Sequence, residues 1–541
     1  MEGILTARQT AGQIAQRQMG RIQRQYRRLP FLRIISITIV VLLLIPVAYL
    51  VLRAVDSGQD GIDYLLRPRT LNIVQNSLNL VAAVSLSAVV VGVPFAWLTS
   101  RANLPLRRVW LVLGMLPMVV PSYVAAIALI RMFGPSGLFE ATFGFNPMPP
   151  IYGFFGSWLI ITLMTFPYVA LPVRAAFMNM DPSLEEAARG LGGGRWRVFW
   201  RVTFPQLRPA LAGGMLLTAL YTLSDFGVVM LLRYNAFTRA IYISYENSFN
   251  PYRAAVLALV LVFLTVGLLL LERYISRGRR NYKVGTGAAR RPPMVDLGVW
   301  RWPAMLFCAV PVAFGLILPV VVLLGWALNP NVTSALNVNL GALTVNTVGV
   351  SGLAAVTAGV VALPLAILAV RSRTGFSRWM VNTAYMGNAL PGVVIGLALV
   401  YFGIRVLPGL YQTMPILIAG YLLRFLPFTL ASTSGALTQI NPSIEEAARG
   451  LGLRPHQVIW RVTLPMAWTG ILAGVALVFL NTMKELPATL MLRPTGFDTL
   501  STRIWTASDV GSYGLIGLPG LVLIAVSCLS LTLILARDRW A

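Results

Sequence analysis

The stretch PSLEEAARGLGGGRWRVFWRVTFP, from Pro182 to Pro205, returns as PSIEEAARGLGLRPHQVIWRVTLP from Pro442 to Pro465, at an offset of 260 residues. A duplication on this scale restricts the chain to two similar halves, each presenting the same polar loop. Both copies lie between long apolar segments, so they sit outside the lipid.

Aliphatic, aromatic and sulfur side chains make up 57% of the 541 residues and charged ones 11%, the mixture of a polytopic membrane protein. Apolar runs of about 20 residues, enough to cross ~30 Å of hydrocarbon, fall near 31–53, 76–98, 109–132, 151–175, 209–232 and 252–272. A second set falls near 303–328, 346–370, 379–403, 413–436, 468–492 and 513–536. The expectation is twelve spans, six per half. In a soluble domain the net charge of +26 would point to nucleic acid. Here the excess is explained by loops of one side, which concentrate Arg and Lys, so no nucleic-acid partner is expected.

Arg101, Arg107 and Arg108, the two repeated loops, the segment Arg273 to Arg301, Arg371 to Arg378, and Arg537 with Arg539 alternate with loops holding Asp56, Asp60, Asp63, Glu140, Glu246, Asp498 and Asp509. The positive-inside rule then places both termini and both repeated loops in the cytoplasm. Asn76, Pro94, Arg101 and Pro121 recur as Asn346, Pro364, Arg371 and Pro391 at an offset of 270, and Pro167 recurs as Pro427 at 260. Six spans per half with both starts inside make the halves parallel, related by an axis along the membrane normal. The expected organisation is a cytoplasmic tail over 1–30, a first half over 31–275 with its loop at 181–208, a linker over 276–302, and a second half over 303–541 with its loop at 441–468.

About thirty polar residues precede the first apolar run and show no small-residue cleavage site, so that span is expected to be retained. Arg8, Arg17, Arg21, Arg24, Arg27 and Arg28 either fix orientation as a solvated tail or rest on anionic lipid headgroups. Cys308 and Cys528 lie inside apolar runs, which gives no support to a disulfide or a thiolate metal site. No GxxxxGK[ST] occurs, so ATP binding is assigned to a separate protein and no cofactor to this chain. The sole histidine, His456, reads as a surface residue.

Each loop opens with a helix signal, Asp181-Pro182-Ser183 or Asn441-Pro442-Ser443, with Glu185 and Glu186, or Glu445 and Glu446, in the first turn. AARGLG carries the helix to a Gly break, and a second short helix is expected to run to Pro205 or Pro465. The pattern is EAA, three residues, Gly, nine residues, then apolar-x-apolar-Pro. Glu186, Ala187, Ala188, Gly192, Val202, Phe204 and Pro205 supply it in the first copy, and Glu446, Ala447, Ala448, Gly452, Val462, Leu464 and Pro465 in the second.

This resembles the EAA loop of binding-protein-dependent ABC importer permeases, and the resemblance covers almost the whole chain. It implies an all-α polytopic fold of twelve transmembrane helices in two parallel six-helix repeats, the type I importer (MetI-like) permease fold of an inner membrane. It also implies that Glu185, Glu186, Ala187, Ala188, Gly190, Gly192 and Pro205, with Glu445, Glu446, Ala447, Ala448, Gly450, Gly452 and Pro465, engage two copies of an ATPase that holds ATP and Mg. A periplasmic or lipid-anchored binding protein is the implied second partner.

Within the spans, Asp225 lies 260 residues before Glu485, and Arg233 stands in the same relation to Arg493. On a continuous helix Asp225 would lie ~24 Å beyond the loop and Arg233 ~12 Å further. The two acids either face a pathway, where paired carboxylates suit a hard cation, or tie helices together through a neighbouring Arg or Lys484. SDFGVVMLLRYNAFTRAIY and KELPATLMLRPTGFDTLSTRIW look like the matching stretches of fused iron(III) importer permeases. Thiamine, sulfate, molybdate, polyamine and phosphonate permeases share the loop and stay open as alternatives. A secondary transporter driven by an ion gradient would share the parallel halves without needing the loops.

Overall fold

The computed structural model describes residues 30–247, 251–276, 294–329, 339–372, 374–387 and 390–537. The expected tail and most of the expected linker lie outside these residues. The described chain is helical almost throughout. In the first half the main elements are α1 (Pro30–Val55), α2 (Pro68–Arg101), α3 (Ser122–Phe133), α4 (Phe154–Asn179), α5 (Pro182–Gly190), α6 (Phe204–Ser224), α7 (Gly227–Leu231) and α8 (Pro251–Ser276). The second half follows with α9 (Arg301–Val312), α10 (Leu318–Ala327), α11 (Leu340–Ile367), α12 (Gly392–Val406), α13 (Met414–Gln439), α14 (Pro442–Gly450), α15 (Leu464–Met483), α16 (Pro487–Leu492), α17 (Leu500–Asp509) and α18 (Gly517–Arg537).

Among the described residues, nine helices are long and apolar enough to cross a membrane, and Gly392–Val406 and Tyr513–Leu529 are shorter apolar helices. Four runs read from the sequence as single spans, 109–132, 209–232, 379–403 and 468–492, are broken in the structure, and 513–536 is shorter among the described residues. The break in 209–232 falls at Asp225, which caps α6, so it is the expected rise of Arg233 along a continuous helix that is corrected: α6 ends at Ser224 and α7 starts anew at Gly227. The same break separates α15 from α16.

Each of two compact units mixes segments of the two sequence halves. Over the described residues, one unit holds the chain up to Leu52 with Gly341–Thr499 and the end of α18 from Ser530, and the other holds Arg53–Leu340 with Leu500–Leu529. The first span of each half thus packs with the other half's helices. Val40 of α1 lies in a buried cluster with Ala362, Leu365, Leu426, Leu430 and Ile471. Cys308 of α9 is buried with Phe95, Phe166, Val173 and Leu207, and burial pairs it with no second cysteine.

In the second of these units α4 packs on α2 and α6, and in the first α13 packs on α15. Glycine permits the close approach in each. A Cβ on Gly214 would come within 2.8 Å of the Val169 Cα, and one on Gly474 within 2.7 Å of the Thr429 Cα. The two pairs are equivalent at the 260-residue offset. Small residues at such crossings let helix backbones meet where lipid supplies no hydrophobic drive.

Candidate functional site: the duplicated loops and the acidic helix breaks

Both loops fold alike, for reasons local to their sequences. The Asp181 side chain accepts a hydrogen bond from the Ser183 N–H at 3.0 Å, and Asn441 does the same for Ser443 at 3.1 Å. Pro182 and Pro442 occupy the first helical position, where a missing N–H costs nothing. The Ser183 backbone N–H, and then its hydroxyl, hold the exposed Asp181 carboxyl below the usual aspartate range.

The helices end in matching glycine caps. Gly192 and Gly452 adopt φ +82° and +90°, a left-handed conformation that glycine takes without strain. In the first copy the Gly192 N–H donates to the Arg189 carbonyl at 3.0 Å and the Gly193 N–H to Ala188 at 3.0 Å. In the second, Gly452 donates to Arg449 at 2.9 Å and Leu453 to Ala448 at 3.3 Å. This double bond pattern satisfies the last carbonyls of each helix.

Past the turn the chain does not stop at Pro205 or Pro465, as expected from the sequence, but remains helical through them. A five-residue π turn, Phe199–Thr203 or Ile459–Thr463, precedes each proline. Its wider spacing relieves the bond and the contact that a proline would otherwise disturb four residues back. The prolines then sit in the first turn of α6 and α15.

The loop residues divide by burial. Glu186, Ala187, Gly190, Gly192, Ala447, Gly450 and Gly452 are exposed, and Ala188 and Glu446 are half-buried. Ala448 and Glu445 are buried. A Cβ placed on Gly190 or Gly450 would meet nothing within 4 Å, and neither has a positive φ. Leu191 and Leu451 are 90% and 87% exposed, beside exposed Trp196, Trp200 and Trp460. His456 is exposed, as read from the sequence.

The inward-facing Glu185 and Glu445 meet arginines that sequence reasoning used for orientation and as repeat markers, and threonines it did not single out. Arg101, the last residue of α2, donates from Nη1 to Glu185 at 3.3 Å and from Nε to the Phe177 carbonyl at 3.1 Å, while the Thr203 hydroxyl donates to Glu185 at 2.9 Å. In the second copy Arg371 donates to Glu445 from Nη2 at 2.9 Å and Nε at 3.1 Å, and Thr463 donates at 3.1 Å. Arg371 also reaches the Ile440 carbonyl at 3.3 Å. The signal was available: a recurrent arginine at the end of an apolar run, in a chain with 11% charged residues, needs a buried partner.

The acids at the helix breaks are also buried. Asp225 accepts from the Ser122 hydroxyl at 2.5 Å and from the Val228 N–H at 2.9 Å, and its carbonyl accepts from Thr238 at 2.6 Å. An aspartate that bonds a backbone N–H three residues on competes with the continuing helix and starts a new one. Glu485 accepts from Arg424 at 3.2 Å and from the Ala488 N–H at 3.3 Å, while Thr489 donates to its carbonyl at 2.8 Å. Pro487, which has no N–H to donate, reinforces that break.

The paired arginines differ in setting. Arg233 is exposed with φ +57° and lies over the Tyr152 ring at 5.6 Å, whereas Arg493 forms an ion pair with Asp498. Asn76 and Asn346 hold the segments that follow, donating to the Asn235 carbonyl at 3.2 Å and the Asp498 carbonyl at 3.0 Å. Among the described residues, no group of three His, Cys, Asp or Glu side chains is placed to hold a metal ion.

The family model for the binding-protein-dependent transport system inner membrane component matches twice, over residues 88–281 and 358–540. The chain is 34% identical to an Fe(3+)-transport system permease protein of Haemophilus influenzae, over 90% of this chain and 94% of the relative. It is 24% identical to a ferric transport system permease protein of Actinobacillus pleuropneumoniae, over 86% and 70%. A molybdate/tungstate transport system permease protein of Thermococcus kodakarensis is 26% identical over 44% of this chain and 91% of its own length. With two family matches, one around each duplicated loop, and its apolar helices, this multi-pass inner-membrane chain belongs to the binding-protein-dependent transport system permeases, the membrane component of ABC transporters.

Proposed function

We propose that this chain is the translocating subunit of an ATP-driven importer, that each duplicated loop docks one copy of a separate ATPase subunit, and that the cargo is iron(III). The observation that carries the docking reading is the pair Gly190 and Gly450. Both are exposed, helical and sterically free, so nothing among the described residues requires them to lack a side chain. Close approach of another protein does. The exposed Leu191, Leu451 and tryptophans beside them supply the apolar area of such a contact, and Glu186 and Glu446 its charge register. Iron(III) rests on the relatives: the ferric permeases align along most of the chain, and the molybdate/tungstate permease along less than half.

In this reading both termini and both loops are cytoplasmic, ATP and Mg belong to the ATPase, and a periplasmic or lipid-anchored binding protein delivers cargo. The broken and shorter helices complete twelve crossings in two parallel repeats, with the boundaries at 31–275 and 303–541. ATP binding draws the two ATPase copies together and, through the loops, switches the accessible side of the route. Glu186, Ala187, Ala188, Gly190 and Gly192 face the ATPase, as do Glu446, Ala447, Gly450 and Gly452. Glu185, Glu445, Pro205 and Pro465 shape the loop behind them. Asp225 and Glu485, with Arg233 and Arg493 beyond, remain the pathway candidates.

The test is co-purification of the ATPase and uptake of radioactive iron(III) after replacing Gly190 and Gly450, which no positive φ constrains to be glycine, with Trp. Loss of both is expected. Unchanged association and uptake would remove the docking role, and uptake that survives an inactive ATPase but collapses with a proton uncoupler would favour a gradient-driven transporter.

A further inference from the structure

The carboxylates of Glu185 and Glu445 each join several helices at one point. Glu185 belongs to the first turn of α5. Its partners are Arg101 at the end of α2 and Thr203 just before α6, and Arg101 also binds the Phe177 carbonyl near the end of α4. Glu445 of α14 is tied in the same way to Arg371 in the π turn that continues α11, to Thr463 before α15, and through Arg371 to the carbonyl of Ile440, just past α13. The Glu445 side chain is wholly buried and that of Glu185 is 15% exposed, so neither carboxylate is displayed to a partner.

Buried ion pairs are a poor source of stability, because desolvation offsets most of their attraction. What they do provide is a fixed geometry, since bonds to one carboxylate constrain the positions of all donors together. A shift of α5 or α14 must then either carry the ends of the neighbouring long helices with it or break several bonds to a buried charge. The arrangement is present twice, built from side chains 84 and 74 residues apart in sequence.

We propose that Arg101–Glu185–Thr203 and Arg371–Glu445–Thr463 are positioning joints that pass movement of the docking helices α5 and α14 to α2 with α6 and to α11 with α15. This rests on the docking reading above. Breaking the joints should uncouple the machine, leaving ATPase association and ATP hydrolysis while transport is lost.

The experiment uses the full chain with its ATPase in membrane vesicles, reading ATP hydrolysis and radioactive iron(III) uptake on the same preparation. Thr203→Val with Thr463→Val retains the ion pairs, removes one tie in each joint, and should lower uptake per ATP hydrolysed about fivefold or more. Thr203→Ser with Thr463→Ser should restore the ratio. Glu185→Gln with Glu445→Gln should lower it further, and if that variant fails to fold the threonine series still decides. A Val variant in which uptake and hydrolysis fall together, or neither falls, overturns the joints. The docking reading fails separately, if Gly190→Trp with Gly450→Trp leaves ATPase association and uptake intact.

Discussion

In the first half the buried acid at the helix break is Asp225, held by the Ser122 hydroxyl and the Val228 amide; in the second it is Glu485, held by the Arg424 guanidinium and the Ala488 amide. The surrounding positions have changed together. At the 270-residue offset Ser122 corresponds to Gly392, and at 260 Met164 corresponds to Arg424. The longer acid and the guanidinium occupy the space that Gly392 leaves, because a Cβ there would collide with both. What the halves share is the carboxylate accepting an amide three residues on, which makes the break. They differ in one donor, the Ser122 hydroxyl on Asp225 and the Arg424 guanidinium on Glu485. The common element of this acid is therefore structural, and a role in the pathway rests on the feature that differs.

The largest effect expected from breaking this comparison comes from Arg424→Met, which copies Met164 into the second half and takes the guanidinium from a buried carboxylate. The cost should be about 3 kcal/mol, the low end for a broken buried pair because Arg424 is 19% exposed. Arg424→Met combined with Gly392→Ser and Glu485→Asp, the first half's residues at these three positions, should recover most of it. Melting in detergent reads the difference, and a triple variant no more stable than Arg424→Met would show that the sets are not interchangeable. Uptake by Asp225→Asn and Glu485→Gln completes the comparison: normal transport and assembly in both would remove the acids from the pathway.

A smaller effect is expected from Gly392→Ala alone. One methyl group against Arg424 and Glu485 should cost about 1–3 kcal/mol, the range for overpacking a filled site. Ser122→Gly at the matching position should cost about 1.5–3 kcal/mol, the range for a hydrogen bond to a charged group. A loss at Gly392 well below about 1 kcal/mol would mean that the packing around it relaxes more easily than its contacts imply.

The features legible in the sequence were those that depend on neighbours along the chain. Asp181 or Asn441, Pro182 or Pro442, and Gly192 or Gly452 announce a helix start, first turn and end within a dozen residues, and the loops fold accordingly. Long apolar runs announce spans for the same reason. The joints were not legible, because Arg101 meets Glu185 across 84 residues, and only a fold brings them together. The break at Asp225 was hidden for another reason: an aspartate in an apolar run reads equally as a pathway group or as a cap, and the Val228 amide decides. Nor does periodicity reveal that α1 packs with Ala362 and Leu426, since an all-round apolar helix does not specify its neighbour.

The smallest predicted difference lies in the loops' first residues. Asp181 and Asn441 make the same bond to the second residue of their helices, at 3.0 and 3.1 Å, but only Asp181 titrates. The Ser183 N–H and hydroxyl hold its carboxyl below the ordinary range in the folded chain. A depressed folded pKa means that the contribution is present above the unfolded value, about 3.9, and is lost as pH falls through the folded one. The start of α5 should therefore loosen in acid while that of α14 does not. Hydrogen-exchange protection, corrected for the intrinsic pH dependence of exchange, should fall at 183–186 relative to 443–446 below about pH 4. Asp181→Asn should make the two helices behave alike. Because Asp181 is exposed, salt weakens the effect of its charge, but the hydrogen bond is local and persists. A parallel response of both helices throughout the acid range would mean that the amide bond, and not the charge on its acceptor, sets the strength of both caps.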